Sequence, residues 1–229
     1  MFELCFDLLR LMRFVLLELP QRVLALLACC WLGTIVWLNR GRQTSRHITG
    51  GQAAATILAS HALSTRVFRG NGWLVDSFHP TKDAIVLSPA NFDGTDIAAL
   101  AISAHETGHV LQAHRRFIPN CLLRLLDPAA RALLGAAFWL WLIGSAAENR
   151  NLLLAAAAAF VTYLVYLILE LICELDASRR GLRELVDHGF LNRDESNVAR
   201  RVLRAALGTY FCAFVGSAAA AAIVLPSIK

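Results

Sequence analysis

Residues 152–176 read LLLAAAAAFVTYLVYLILELICELD, and this stretch decides how the rest of the chain is arranged. It carries no charge before Glu170, and about 20 such residues in a helix cross the hydrocarbon core of a bilayer. Glu174 and Asp176 follow directly, where the apolar run gives way to a polar one. Upstream, Glu148-Asn149-Arg150 reads as a tight polar turn, preceded by a second apolar segment, Ala130–Ala147, with Trp139 and Trp141 in mid-span. Together they predict a transmembrane hairpin. Whatever follows Cys173 then returns to the side of the membrane that holds the chain before residue 129.

The composition agrees with a membrane protein. Of 229 residues, 57% are hydrophobic and 17% charged, against about 25% charged in soluble domains, and the mean hydropathy is +0.53. Val23–Leu38 and Leu207–Pro226 are further apolar stretches, which makes about four transmembrane helices. No Ala-x-Ala cleavage signal follows the first, so it reads as an anchor. Residues 1–20 place Glu3, Asp7 and Arg10 on one stripe and end at Pro20, the pattern of an amphipathic interfacial helix.

Between the spans, Thr49 is an expected N-cap for an Ala-rich helix to about Ala62. Val67–Phe68, Trp73–Phe78 and Ala84–Ser88 read as short strands. Thr95, with Asp96 after it, is expected to cap a helix continuing to about His114. The expected fold is a mainly α membrane protein with a small α+β extramembrane domain. Its parts are an interfacial helix at 1–20, a first span at 21–39, and the extramembrane domain at 40–128. A hairpin at 129–173, a charged helical region at 174–206 and a last span at 207–229 complete it.

Charge sets the expected orientation. Ten of the 22 Lys and Arg lie between Arg40 and Arg131 and seven between Arg179 and Arg204. By the positive-inside tendency both regions face the cytoplasm. The net charge of +5 is topological in this reading, because no basic run is interleaved with exposed aromatics as nucleic-acid binding would require. The six cysteines form no Cys-x-x-Cys pair, which argues against a cysteine metal site. Charged residues are missing from mid-span positions, where a transport pathway would need them.

The chemistry concentrates in His105-Glu106-Thr107-Gly108-His109. Residues four apart lie one turn above each other on a helix, so His105 and His109 can hold one metal ion. Glu106 is then placed to take a proton from water activated at that metal. Ile97–Ala104 is too short an apolar run for a span, so the site is expected at the membrane surface. A third ligand is needed, and His114, Asp127, Glu170, Glu174, Asp176 and His188 are the candidates. His114 lies five residues after His109, off the ligand face. Glu174 stands best, at the water end of the span, with Glu170 and Asp176 as alternatives. Asp176 is also a candidate partner for the far ring nitrogen of a liganding histidine. Tyr210, Arg179, Arg180 and His188 are candidate oxyanion stabilisers. The arginines read more readily as anchors at the lipid headgroups, and Tyr210 equally as an interfacial aromatic. Gly108 is a point of close backbone approach or of plain helix packing.

The segments His105-Glu-Thr-Gly-His-Val-Leu-Gln and Glu174-Leu-Asp-Ala-Ser-Arg-Arg resemble the bacterial membrane neutral zinc metallopeptidases of the YugP type. Those are distantly similar to gluzincins of the HtpX group. The resemblance runs from about Thr49 to Tyr210 and takes in Thr49-Gly50, Leu87-Ser88, Val202-Leu203-Arg204-Ala205-Ala206 and Thr209-Tyr210. It implies a gluzincin-like zinc domain with one Zn²⁺ per chain, Glu174 as third ligand and Glu106 as general base. It also implies a multi-pass membrane peptidase acting on peptides or membrane proteins, expected in the bacterial inner membrane, with the charge distribution putting its site on the cytoplasmic side. Similarity to gluzincins offers Ala84–Ser88 as an edge strand for an extended substrate, with an ordinary sheet strand as an equal alternative. The chain departs from the family at Asp76-Ser77-Phe78-His79-Pro80, where the family reads Asp-His-Tyr-Asp-Pro. The rival reading is a non-catalytic membrane scaffold whose zinc, closed by four protein ligands, only ties helices together.

Overall fold

The computed structural model describes residues 23–73 and 75–224, so the helix expected at 1–20 lies outside the described residues. Helices α1 (Val23–Asn39) and α2 (Gly50–Ser60) come first. Strands β1 (Arg66–Arg69), β2 (Ser77–His79) and β3 (Ala84–Leu87) follow, then α3 (Pro89–Phe92), α4 (Ile97–His114), α5 (Ile118–Ala146), α6 (Arg150–Asp187) and α7 (Arg193–Val224). The chain forms two compact units. Among the described residues one comprises 23–29, 122–171 and 209–224, and the other 30–121 and 172–208.

Among the described residues three helical segments are long and apolar enough to cross a membrane: Leu125–Ala146, Arg150–Asp187 and Arg193–Ala219. The stretch expected as the first span appears as the shorter apolar helix α1. The turn expected at 148–150 is found at 147–149. There the Asn149 side chain accepts the N–H groups of Asn151 and Leu152 and caps α6. Within this first unit Ala137 and Trp141 of α5 pack on Ala156 and Phe160 of α6. The Tyr166 hydroxyl donates to Asp127 at 2.7 Å, which satisfies both polar groups inside an apolar segment.

The second unit is built around α4. Thirteen of its 18 residues are buried, so its apolar run reflects a helix enclosed by protein. Ile97, Leu100, Ala101 and Ala104 pack against Leu185, Ala199 and Val202 of α6 and α7. Val110 packs against Ile85 and Leu87 of the sheet. The start of α4 is fixed locally. Asp96, rather than Thr95, is its N-cap, accepting from the Ala99 N–H at 2.9 Å. Thr95 instead turns its hydroxyl to the Gln43 side-chain oxygen. Thr49 caps α2 as expected, in a reciprocal capping box with Gln52. Arg40, counted above as a topological charge, is engaged inside the protein: it donates to Ala90 O and Asn91 Oδ1 and faces Asp96.

The sheet has the order β1-β3-β2, with β1 parallel and β2 antiparallel to β3. Strand β3 is therefore central, with both edges paired, and cannot take up an extended substrate as Ala84–Ser88 was expected to. Its continuous apolar sequence suits a strand covered on both faces. The expected strand Trp73–Phe78 is reduced to Ser77–His79. Asp76 leaves the ladder to accept the Ser88 N–H at 2.8 Å. The charged region after Arg179 is two helices joined by a turn in which Gly189 adopts φ +67°, the left-handed conformation glycine tolerates. Asn192 then caps α7 by accepting from Asp194 N and Glu195 N, while Glu195 accepts from Asn192 N.

Candidate metal centre and active site

Helix α4 presents His105, Glu106 and His109 on its side facing α6. Two glycines set how closely those helices approach. A Cβ on Gly108 would stand 2.8 Å from the Ala177 carbonyl carbon, and a Cβ on Gly181 would stand 2.9 Å from the His105 nitrogen. Carbon atoms pack at about 3.5–4.0 Å, so each helix has a glycine where the other's backbone passes. Gly108 has the role its position suggested, and Gly181 is its unanticipated counterpart.

The close crossing brings Glu174 to the two histidines. His105 Nε2 lies 3.2 Å from Glu174 Oε2, and His109 Nε2 lies 3.4 Å from Glu174 Oε1. The two Nε2 atoms are 3.2 Å apart, with the rings at 84° to each other. Among the described residues these three side chains are the group able to hold a metal ion, their donor atoms within 4.8 Å of one another.

The donor set fits zinc. Zn–N and Zn–O bonds of about 2.0–2.2 Å in a tetrahedron place ligand atoms about 3.3–3.5 Å apart. The far ring nitrogens are also occupied. His105 Nδ1 is hydrogen-bonded to Ser178 Oγ at 3.0 Å, and His109 Nδ1 donates to Gln112 Oε1 at 3.1 Å. The Gln112 amide nitrogen is committed elsewhere, so its oxygen accepts and places a His109 hydrogen on Nδ1; in both rings Nε2 is the atom directed at the centre. Gln112 is itself held, because its Nε2 donates to Cys173 O at 2.7 Å and to Asp176 Oδ2 at 2.9 Å. Asp176 in turn accepts from Arg180, whose guanidinium lies over the Phe117 ring.

The environment shifts protonation. Burial pushes the Glu106 carboxyl above its usual range; His105 and His109 oppose this, and the charges of Glu174 and Asp76 add to it. Glu106 is 8% exposed. Burial also opposes charge on His109. The hydrogen bond and charge of Glu174, with Glu106 and Gln112, outweigh it and hold His109 up at about 9 without a metal.

Other candidates lie elsewhere. Asp176 reaches His109 only through Gln112, and Arg180 is committed to Asp176. His188 donates to the Glu184 carbonyl and stacks on Phe190. The His114 ring donates to Val110 O, and Asp127 accepts from Tyr166. Arg179 lines a groove between α6 and α7. Tyr210 and Glu170 belong to the other compact unit. Gln112 and Ser178 were missed, although Gln112 stands three residues after His109 and Ser178 four after Glu174, positions that share a helix face.

A cluster of two histidines and a glutamate on packed helices, with a second glutamate beside the first histidine, is the arrangement of a zinc peptidase. Residues 14–226 match the family described as "Putative neutral zinc metallopeptidase", and the chain belongs to it. It is also 30% identical over 166 residues to the "Putative membrane protease YugP" of Bacillus subtilis (strain 168), covering 72% of this chain and 74% of that protein. No solved structure matches.

Proposed function

We propose that the chain is a membrane-anchored zinc endopeptidase that hydrolyses peptide bonds at the cytoplasmic face of the bacterial inner membrane. The observation that carries this is the convergence of His105, His109 and Glu174, with Glu106 buried beside them. Zinc held by those three would supply a Lewis acid able to polarise a peptide carbonyl and to lower the pKa of water, with one coordination position left open. Among the described residues the cluster has three protein donors rather than four, which favours this reading over a closed scaffold site.

Glu106 then takes a proton from the attacking water and passes it to the leaving amine. Burial serves that task, because a raised carboxyl pKa lies nearer neutrality, where a group both accepts and returns a proton. Ser178 and Gln112 hold the imidazoles in orientation. Since β3 is paired on both sides, the edge strand β2, which follows Asp76 and packs on α4, is the better-placed partner for an extended peptide.

Glu106→Gln tests the proposal on the full chain purified in detergent, with an unfolded polypeptide as substrate. Cleavage should fall by about 100-fold or more while zinc content stays at one per chain. Cleavage at the wild-type rate would overturn the mechanism.

A further inference from the structure

A groove of about 570 Å³ between the C-terminal part of α6 and the N-terminal part of α7 is lined by Arg179, Arg183, Arg200 and Arg204. Each pair is spaced four residues apart on its own helix, so the four guanidiniums face one space. Among the described residues none of the four has a hydrogen bond or ion pair, whereas neighbouring Arg180 is paired with Asp176. Asp187 is the one carboxylate in the lining, which leaves the groove with three excess positive charges. A structural role for unpaired arginines is poorly supported, because a guanidinium contributes to a fold mainly through paired or stacked contacts.

Apart from Ser178 the remaining lining is apolar, with Leu182, Val186 and Leu203 among the arginines and Leu175 and Leu207 at the membrane end. Leu175 stands at the end of the apolar run of α6, and Leu207 at the start of that of α7. At 1.5 Å per residue, Arg179 is roughly 9 Å beyond Cys173 and Arg204 roughly 5 Å before Leu207. A headgroup layer is about 5–8 Å thick on each side of the hydrocarbon core. By the same rise Arg200 is roughly 10 Å before Leu207 and Arg183 roughly 15 Å beyond Cys173. Arg204 and Arg179 therefore lie at or next to headgroup depth, and Arg200 and Arg183 form the outer, aqueous end of the groove.

We infer that this groove is a binding site for an anionic phospholipid, its phosphate between the guanidiniums and its acyl chains along Leu175 and Leu207. Ser178, which is hydrogen-bonded to His105 Nδ1, also lines the groove, so an occupied groove shares a wall with the metal centre. The inference does not depend on the peptidase reading, because lipid binding is measured without metal or substrate.

The test is retention of phosphatidylglycerol by the full chain in an uncharged detergent, against phosphatidylcholine and glycerol 3-phosphate. Phosphatidylglycerol should bind at least tenfold more tightly than either. Arg179→Gln/Arg183→Gln and Arg200→Gln/Arg204→Gln should each weaken it about 30-fold, the order expected for two cations at a membrane surface. The control pair Arg193→Gln/Arg201→Gln, outside the lining, should stay within twofold. Asp187→Asn should tighten binding several-fold, a gain that misfolding does not produce. Equal loss in groove and control pairs, no gain with Asp187→Asn, or equal affinity for glycerol 3-phosphate would overturn the inference.

Discussion

Gly108→Ala adds one methyl group at the crossing of α4 and α6, and the structure sets its effect. The new Cβ would lie 2.8 Å from the Ala177 carbonyl carbon and 3.0 Å from its Cα, about 1 Å inside comfortable contact. Both partners are helix backbone, so relief requires the helices to separate by a similar amount. Glu174 stands three residues before Ala177 on α6 and moves with it, whereas zinc sites tolerate ligand displacements of about 0.2 Å. Alanine favours a helix over glycine by about 1 kcal/mol, and overpacking costs about 1–3 kcal/mol. The net loss of stability is then about 0–2 kcal/mol, a modest change beside the effect on the metal. Zinc affinity, measured by competition with a chromophoric chelator, should fall about 10–100-fold. Gly181→Ala should behave alike through the His105 backbone. Gly208→Ala, with nothing within 4 Å of its Cβ position, should bind zinc normally. Wild-type zinc affinity in Gly108→Ala would refute the claim that the glycine crossing positions the third ligand.

Three further outcomes follow from the same geometry. Gln112→Leu removes the acceptor for His109 Nδ1, and chelator competition should show about 10–100-fold weaker zinc binding. Because His109 is held up at about 9 in the metal-free protein, zinc must displace its proton. Calorimetry at pH 7.5 in buffers of different ionisation enthalpy should therefore report about one proton released, and apparent affinity should climb about tenfold per pH unit until pH 9. The matching stabilisation of the metal-free fold is fully present below pH 6.5 and lost as pH rises through 9. Asn192→Ala deletes the α7 cap and should cost about 1 kcal/mol in thermal unfolding, with zinc binding unchanged.

Much of the candidate site was legible because its residues lie on helix faces. The i,i+4 spacing of His105 and His109, and the position of Glu174 just past an apolar run, are properties of single elements. Gln112, Ser178 and Gly181 were not legible in the same way. Their roles depend on where α4 crosses α6, and no periodicity within either helix encodes a crossing point. The one-residue displacement of the α4 cap has a similar source. Thr95 and Asp96 both have capping side chains, and a contact to distant Gln43 decides between them. Sheet order likewise escapes strand patterns, although the unbroken apolar run of Ala84–Leu87 was a sign that β3 is central.

The donors of the metal centre are made at different times. His105 and His109 come from one turn of one helix, but the contacts that complete and orient the site join residues 61 to 73 positions apart. At about 5–20 residues per second, a ribosome takes roughly 3–15 s to cover that distance. Throughout that interval the nascent chain has the two imidazoles without Glu174. A chain that stalls between Ile118 and Cys173 therefore never acquires a third donor. The three-residue cluster is complete only after the helix pair that separates its two halves in sequence has been synthesised.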